Sequence, residues 1–129
     1  MKTIIHTDDA PKAVGPYSQA VRTGNLLFTA GQVALNPATG KMVEGDIVAQ
    51  AERVMKNLHA VLTAAGTSFD HVVKTTVFLV DMADYAGLNE VYGRYIGNNP
   101  PARSAFAVRG LPLGAKVEIE MVAEIPEAG

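Results

Sequence analysis

The sequence predicts a single α+β domain of two layers, a mixed β-sheet with two helices packed on one face. Three observations carry that reading. Several short segments alternate or run apolar, as strands do, and two longer ones repeat apolar residues with the helical period. Gly-, Pro- and Asn-rich turn signals separate them. At 129 residues the chain suits one core and is too short for two ordinary domains.

Taken in order, Val21-Arg22 and Leu26 to Ala30 read as short strands around a Thr23-Gly24-Asn25 turn. Asn36-Pro37-Ala38-Thr39-Gly40 is a second turn signal. Asp46 then opens the clearest helix, which Gly66 closes. Ile47, Ala51, Val54, Met55, Leu58, Leu62 and Ala65 form its apolar stripe, and Glu52, Arg53, Lys56 and His59 fall opposite. Val72 to Val80 is rich in β-branched residues and apolar on both faces, which suits a central strand. A shorter helix follows from about Asp84 to Ile96, with a stripe of Tyr85, Leu88, Tyr92, Tyr95 and Ile96. A strand from Arg103 to Arg109, a turn over Gly110 to Gly114 and a last strand from Lys116 to Ile125 complete the set.

Two one-sided helices cover only one face of such a sheet, yet the strands carry apolar residues on both sides. An uncovered apolar face implies another subunit, so a homo-oligomer is expected.

Composition narrows the function classes. With 48% hydrophobic and 19% charged residues, the chain reads as a soluble globular protein. The net charge of −2 and the scatter of eleven Lys and Arg argue against nucleic acid as a partner. No cysteine is present, which excludes disulfides, thiolate metal sites and a cysteine nucleophile. The opening residues lack a signal-peptide pattern, and no apolar run reaches membrane-spanning length. A cytoplasmic protein with no membrane partner is expected.

The segment Pro100-Pro101-Ala102-Arg103-Ser104 is the first candidate for chemistry. Arginine grips a small carboxylate through two parallel hydrogen bonds from its planar fork. Arg103, Ala105, Ala107 and Arg109 share one strand face, and the two alanines leave room for a ligand. A solvated or ion-paired strand-end arginine is the plainer alternative. Glu118, Glu120 and Glu124 share a face of the last strand, and on an edge strand they would simply be its solvated side. An antiparallel turn between these two strands would lay Lys116 to Glu120 alongside Arg103 to Arg109 and bring one glutamate near Arg103. Which glutamate depends on register, which the residues alone leave open.

Other features are weaker. His6, His59 and His71 show no metal-ligand spacing, so no metal is expected. Neither a dinucleotide-binding nor a Walker glycine pattern occurs. Gly15-Pro16-Tyr17-Ser18 is a rigid turn presenting an aromatic, and Asn89 lies beside the second helix's stripe.

Eight segments together resemble one family over nearly the whole chain. They are Gly15-Pro16-Tyr17-Ser18-Gln19-Ala20, Ala30-Gly31-Gln32, Asn36-Pro37 with Thr39-Gly40, Val73 to Phe78, Asn89-Glu90-Val91-Tyr92, Pro101-Ala102-Arg103-Ser104, Leu111-Pro112 and Val117-Glu118-Ile119-Glu120. In order and spacing they resemble the RidA family (reactive intermediate deaminase A, YjgF-type). The resemblance implies a chorismate-mutase-like fold assembled as a homotrimer with clefts between subunits. It implies hydrolysis of 2-imino acids, such as 2-iminobutanoate and 2-iminopropanoate, to 2-keto acids and ammonia without metal or cofactor. By the same resemblance Arg103 binds the carboxylate, joined by the backbone N–H of Ala105, and Glu118 serves the attacking water. Tyr17, Gly31 and Asn89 match cleft-lining positions.

The chain departs from the family pattern at two positions. Ala105 stands where Cys or Thr is common, and Ala30 where Ser is frequent; each removes a side-chain hydrogen-bonding group. Two competing functions follow from the same resemblance. One is a trimeric regulatory protein that binds 2-keto acids without turnover. The other is RNA cleavage, against which the acidic balance counts.

Overall fold

The computed structural model describes residues 1–127. Six strands form one sheet: β1 (Lys2–Ile5), β2 (Ala20–Thr23), β3 (Leu26–Thr29), β4 (Val72–Leu79), β5 (Ala102–Ala107) and β6 (Val117–Glu124). Two helices, α1 (Ile47–Ala64) and α2 (Tyr85–Ile96), pack on one face. The spatial order is β1-β2-β3-β6-β4-β5, antiparallel except for the parallel pair β4 and β5. The predicted mixed two-layer sheet is what forms.

The helices obey their local signals. Asp46 caps α1, its carboxylate accepting from the Ala49 N–H at 3.0 Å. Gly66 ends it at φ +83°, and the Thr67 N–H closes on the Leu62 carbonyl at 3.0 Å. The predicted stripe is buried, together with Val61. Leu58, Leu62 and Leu88 are fully removed from solvent, each worth about 1.5–3 kcal/mol of burial. The helices approach closely where Gly87 meets Ile47: a β-carbon there would lie 2.6 Å from Ile47 Cγ2.

Two polar residues interrupt the buried stripe of α1, and each is satisfied. Asn57 Nδ2 donates to the carbonyls of Val33 and Leu35 at 3.2 and 2.9 Å. Gln50 receives the Lys116 N–H at 2.9 Å and donates to the Val43 carbonyl at 3.2 Å. They fasten the loop after β3 and the entry to β6 to the helix layer.

Two expectations are corrected. β1 was not anticipated, and it extends the sheet beyond β2. More consequentially, β5 and β6 are not neighbours, because β4 lies between them. The chain from β4 through α2 to β5 is a βαβ crossover, and such a connection makes its strands parallel neighbours. The segment after β5 then has to pass β4 before β6 pairs antiparallel with it.

The face opposite the helices stays open in the protomer. Ile4 is 60%, Phe28 44% and Phe106 46% exposed there. Phe78 and Phe106 stack edge-to-face across the β4–β5 pair with ring centres 5.3 Å apart.

Candidate active site

Arg103 sits on β5, paired in register with Thr75 of β4, on the sheet face that carries α2. Its guanidinium carbon lies 4.8 Å from the centre of the Tyr92 ring and 5.5 Å from that of Tyr85. Arg103 Nη2 donates to the Tyr85 hydroxyl oxygen at 2.9 Å. Tyr92 is buried, and its hydroxyl shares a 2.7 Å hydrogen bond with the buried Thr75 hydroxyl. The cation is thus held by two rings, an arrangement worth about 0.5–2 kcal/mol depending on solvation.

The titration of the tyrosines follows from the same contacts. The Asn89 side chain, and next the Arg103 guanidinium, hold the Tyr85 phenol below its usual value. Burial pushes the Tyr92 phenol up, against a smaller opposing pull from Thr75 and Arg103. Asn89 therefore belongs to the Arg103 cluster. Ala105 follows two residues along the same face of β5, where its methyl leaves space beside the guanidinium.

Glu118 projects from β6 on the open face, in register with Phe78. β6 lies between β3 and β4, so its glutamates rise from the middle of the sheet instead of forming a solvated edge. Burial, and then the charge of neighbouring Glu120, push the Glu118 carboxyl above the ordinary glutamate range. Gly31 makes the room that Glu118 occupies. A β-carbon at residue 31 would lie 2.7 Å from the carboxyl carbon and 2.9 Å from one carboxylate oxygen. Backbone pairing holds this apposition: the Gln32 N–H donates to the Ile119 carbonyl at 2.9 Å, and the Ile119 N–H returns to Gln32 at 3.1 Å.

Residues 7–125 match the family model described as Endoribonuclease L-PSP. The chain belongs to this family, that of the RidA (YjgF-type) proteins. It is 59% identical over 121 residues to Protein DfrA of Myxococcus xanthus, with 92% of each chain covered. It is 46% identical over 123 residues to the 2-iminobutanoate/2-iminopropanoate deaminase of Mus musculus, covering 95% of this chain and 91% of that one. The crystal structure of RidA from the Antarctic bacterium Psychrobacter sp. PAMC 21119 matches with a TM-score of 0.92 at 46% identity, covering 95% and 99% of the two chains.

Within this RidA-family protomer the predicted site residues fall into two groups. Arg103, Asn89 and Ala105 gather under α2, while Glu118 and Gly31 meet on the opposite face. The turn expected to place a glutamate beside Arg103 does no such thing within one chain, since β4 intervenes. Among the described residues the ion pairs are His6–Asp8 and Arg94–Glu52, so neither Arg103 nor Glu118 is spent in one. Tyr17 stands apart from both groups. It is exposed in its own loop, its ring near Gly15 and its hydroxyl accepting from the Val14 N–H at 3.4 Å.

The residues missed as site components are Tyr85, Tyr92 and Thr75. The two tyrosines were read as core stripe, yet with Asn89 they recur at helical spacing on one face of α2, which marked them as a group. Gln19 was missed as a clamp. Its buried amide donates to the carbonyls of Thr7, Ala10 and Pro11 at 3.0, 3.3 and 2.8 Å, and its oxygen receives the Thr7 N–H at 2.7 Å. That clamp anchors the loop that presents Tyr17. A hollow of about 780 Å³ near Arg22, Asn25 and Gly66 contains none of the predicted site residues.

Proposed function

We propose that this protein hydrolyses reactive 2-imino acids, such as 2-iminobutanoate and 2-iminopropanoate, to 2-keto acids and ammonia. The observation that carries the reading is the state of Arg103: a cation oriented by two tyrosines, with no carboxylate of its own among the described residues. A 2-imino acid supplies that carboxylate, and binding fixes its C=N carbon in one place. The deaminase named in mouse, nearly half identical over nearly the full chain, supports the same reaction class.

The chemistry asked of the protein is modest. Water adds to the imine carbon while Glu118 takes its proton. Returning that proton to nitrogen gives the carbinolamine. Glu118 then carries the proton of the new hydroxyl to the nitrogen, so that the C–N bond breaks, ammonia leaves and the C=O forms. Glu118, with its pKa raised by burial and then by the charge of Glu120, is suited to take and return a proton. General acid–base catalysis contributes about 10²- to 10⁴-fold, and orientation by the arginine several kcal/mol more.

A small substrate cannot touch both groups in one chain, because they lie on opposite faces with a strand between them. We therefore place the working site in a cleft between protomers of a homotrimer, where one chain's Arg103 faces a neighbour's Glu118. The apolar residues of the open face support such an assembly. Tyr17, exposed on its clamped loop, is assigned to the wall of that cleft. The proposed location is the cytoplasm. RNA cleavage, the activity in the family model's description, is disfavoured by a net charge of −2.

The decisive experiment generates 2-iminobutanoate in situ with an amino-acid oxidase and follows release of the keto acid. The protein should accelerate release, and Arg103→Ala should return it to the uncatalysed rate. Equal rates for the two proteins would refute the proposal.

A further inference from the structure

A guanidinium offers a carboxylate two bidentate edges, one formed by Nε and Nη2, the other by Nη1 and Nη2. Nη2 carries one proton on each edge. In this chain one of those protons is already committed, because Nη2 donates to the Tyr85 hydroxyl oxygen at 2.9 Å. One edge is therefore blocked, and the other keeps both of its donors. Tyr92 restrains the remaining freedom. Its ring lies under the guanidinium, and its hydroxyl is pinned to Thr75 inside the core. One tyrosine fixes where the cation lies, and the other decides which side of it is open.

We infer that Tyr85 is a positioning residue that closes one of the two carboxylate-binding edges of Arg103, so that the substrate docks in a single orientation. The inference rests on the reading of Arg103 as the carboxylate grip. A carboxylate on the blocked edge would be held as firmly but would carry its imine carbon elsewhere, away from the attacking water. Tyr85 thus acts against unproductive binding instead of adding affinity. Phenylalanine at this position would keep the ring beside the cation and free the edge.

This predicts a kinetic signature that a structural tyrosine would not give. In Tyr85→Phe the substrate has two poses, one of them sterile. With the two poses held equally firmly, kcat should fall about twofold and KM about twofold with it, leaving kcat/KM unchanged. Binding of 2-oxobutanoate, measured by calorimetry, should be no weaker. Arg103→Ala is assayed alongside. If Arg103→Ala is inactive while Tyr85→Phe keeps the parent kcat, the inference about Tyr85 is overturned and the proposed function stands. If kcat/KM falls as far as kcat, with KM unchanged or raised, Tyr85 contributes affinity or fold and the inference is also overturned. Full activity in Arg103→Ala would instead remove the reading on which it rests.

Discussion

Gly31 and the Glu118 carboxylate compete for one small volume: a β-carbon on residue 31 would sit 2.7 Å from the Glu118 carboxyl carbon. The atoms it would strike are the far end of a flexible side chain and not backbone, so the conflict can be relieved by rotation. Gly31→Ala should therefore cost little stability while moving the carboxylate out of place. Imine hydrolysis should drop at least about tenfold, with a melting temperature close to that of the parent. A variant that melts normally and turns over normally would show that the position of Glu118 does not matter.

The raised pKa of Glu118 gives a pH dependence whose sign is fixed by its causes, burial first and Glu120 second. The folded state holds this proton more tightly than the unfolded chain does. The associated stability is fully present below the ordinary glutamate pKa of 4.5 and is lost as pH rises through the higher folded value. Glu120→Gln removes the like charge, so it should reduce that loss. It should also move the acid limb of the pH–rate profile to lower pH. Urea denaturation on both sides of the window, with a pH–rate profile of each protein, checks both effects. An unshifted acid limb would mean that Glu120 does not act on the catalytic carboxyl.

Tyr92→Phe separates the ring from its hydroxyl. The ring that carries Arg103 remains, while the buried Thr75 hydroxyl loses its 2.7 Å partner. Leaving such a group unpaired costs about 1–3 kcal/mol. Chemical denaturation should record that loss, and KM for the imine should change less than twofold or so. A large rise in KM with unchanged stability would reverse these roles.

Leu113 adopts φ +58°, a left-handed conformation that β-carbon-bearing residues take at a cost of about 1 kcal/mol, and its side chain is 69% exposed. Asparagine tolerates that conformation better. Leu113→Asn should raise stability by roughly 0.5–1 kcal/mol in the denaturation midpoint. A lowered midpoint would indicate that the leucine side chain is engaged by another protomer.

Local structure was legible wherever one segment carries its own instructions. The Asp46 cap, the Gly66 stop and the stripe between them give α1 within a residue of its observed span. β1 escaped notice because Lys2-Thr3-Ile4-Ile5 has no alternation, and its pairing comes from β2. The two site clusters show the same division. Arg103 and Glu118 stand out as residue types, but their separation depends on strand order, which periodicity does not encode. One signal was available. A strand, a one-sided helix and a strand in succession imply a parallel crossover, which places β4 beside β5. That β6 takes the other edge of β4 and not the free edge of β5 is a tertiary choice the pattern does not carry. Asn57 and Gln50 read as polar errors in an apolar stripe until the loops they fasten come into view.

The paired backbone bonds between Gln32 and Ile119 also bear on how this gene can change over time. β3 is tied to β6 as far as Phe28 opposite Val122, and the chain is tied again at Gln32 opposite Ile119. The three residues between the two ties must span a set distance and deliver Gly31 in step with Glu118. A substitution at Ala30 leaves that count unchanged, whereas one inserted or deleted codon would put another residue at the carboxylate. Thr29, whose hydroxyl accepts the Met121 N–H at 2.9 Å, and Gly31 are held in identity as well, so composition can drift at Ala30 while length cannot.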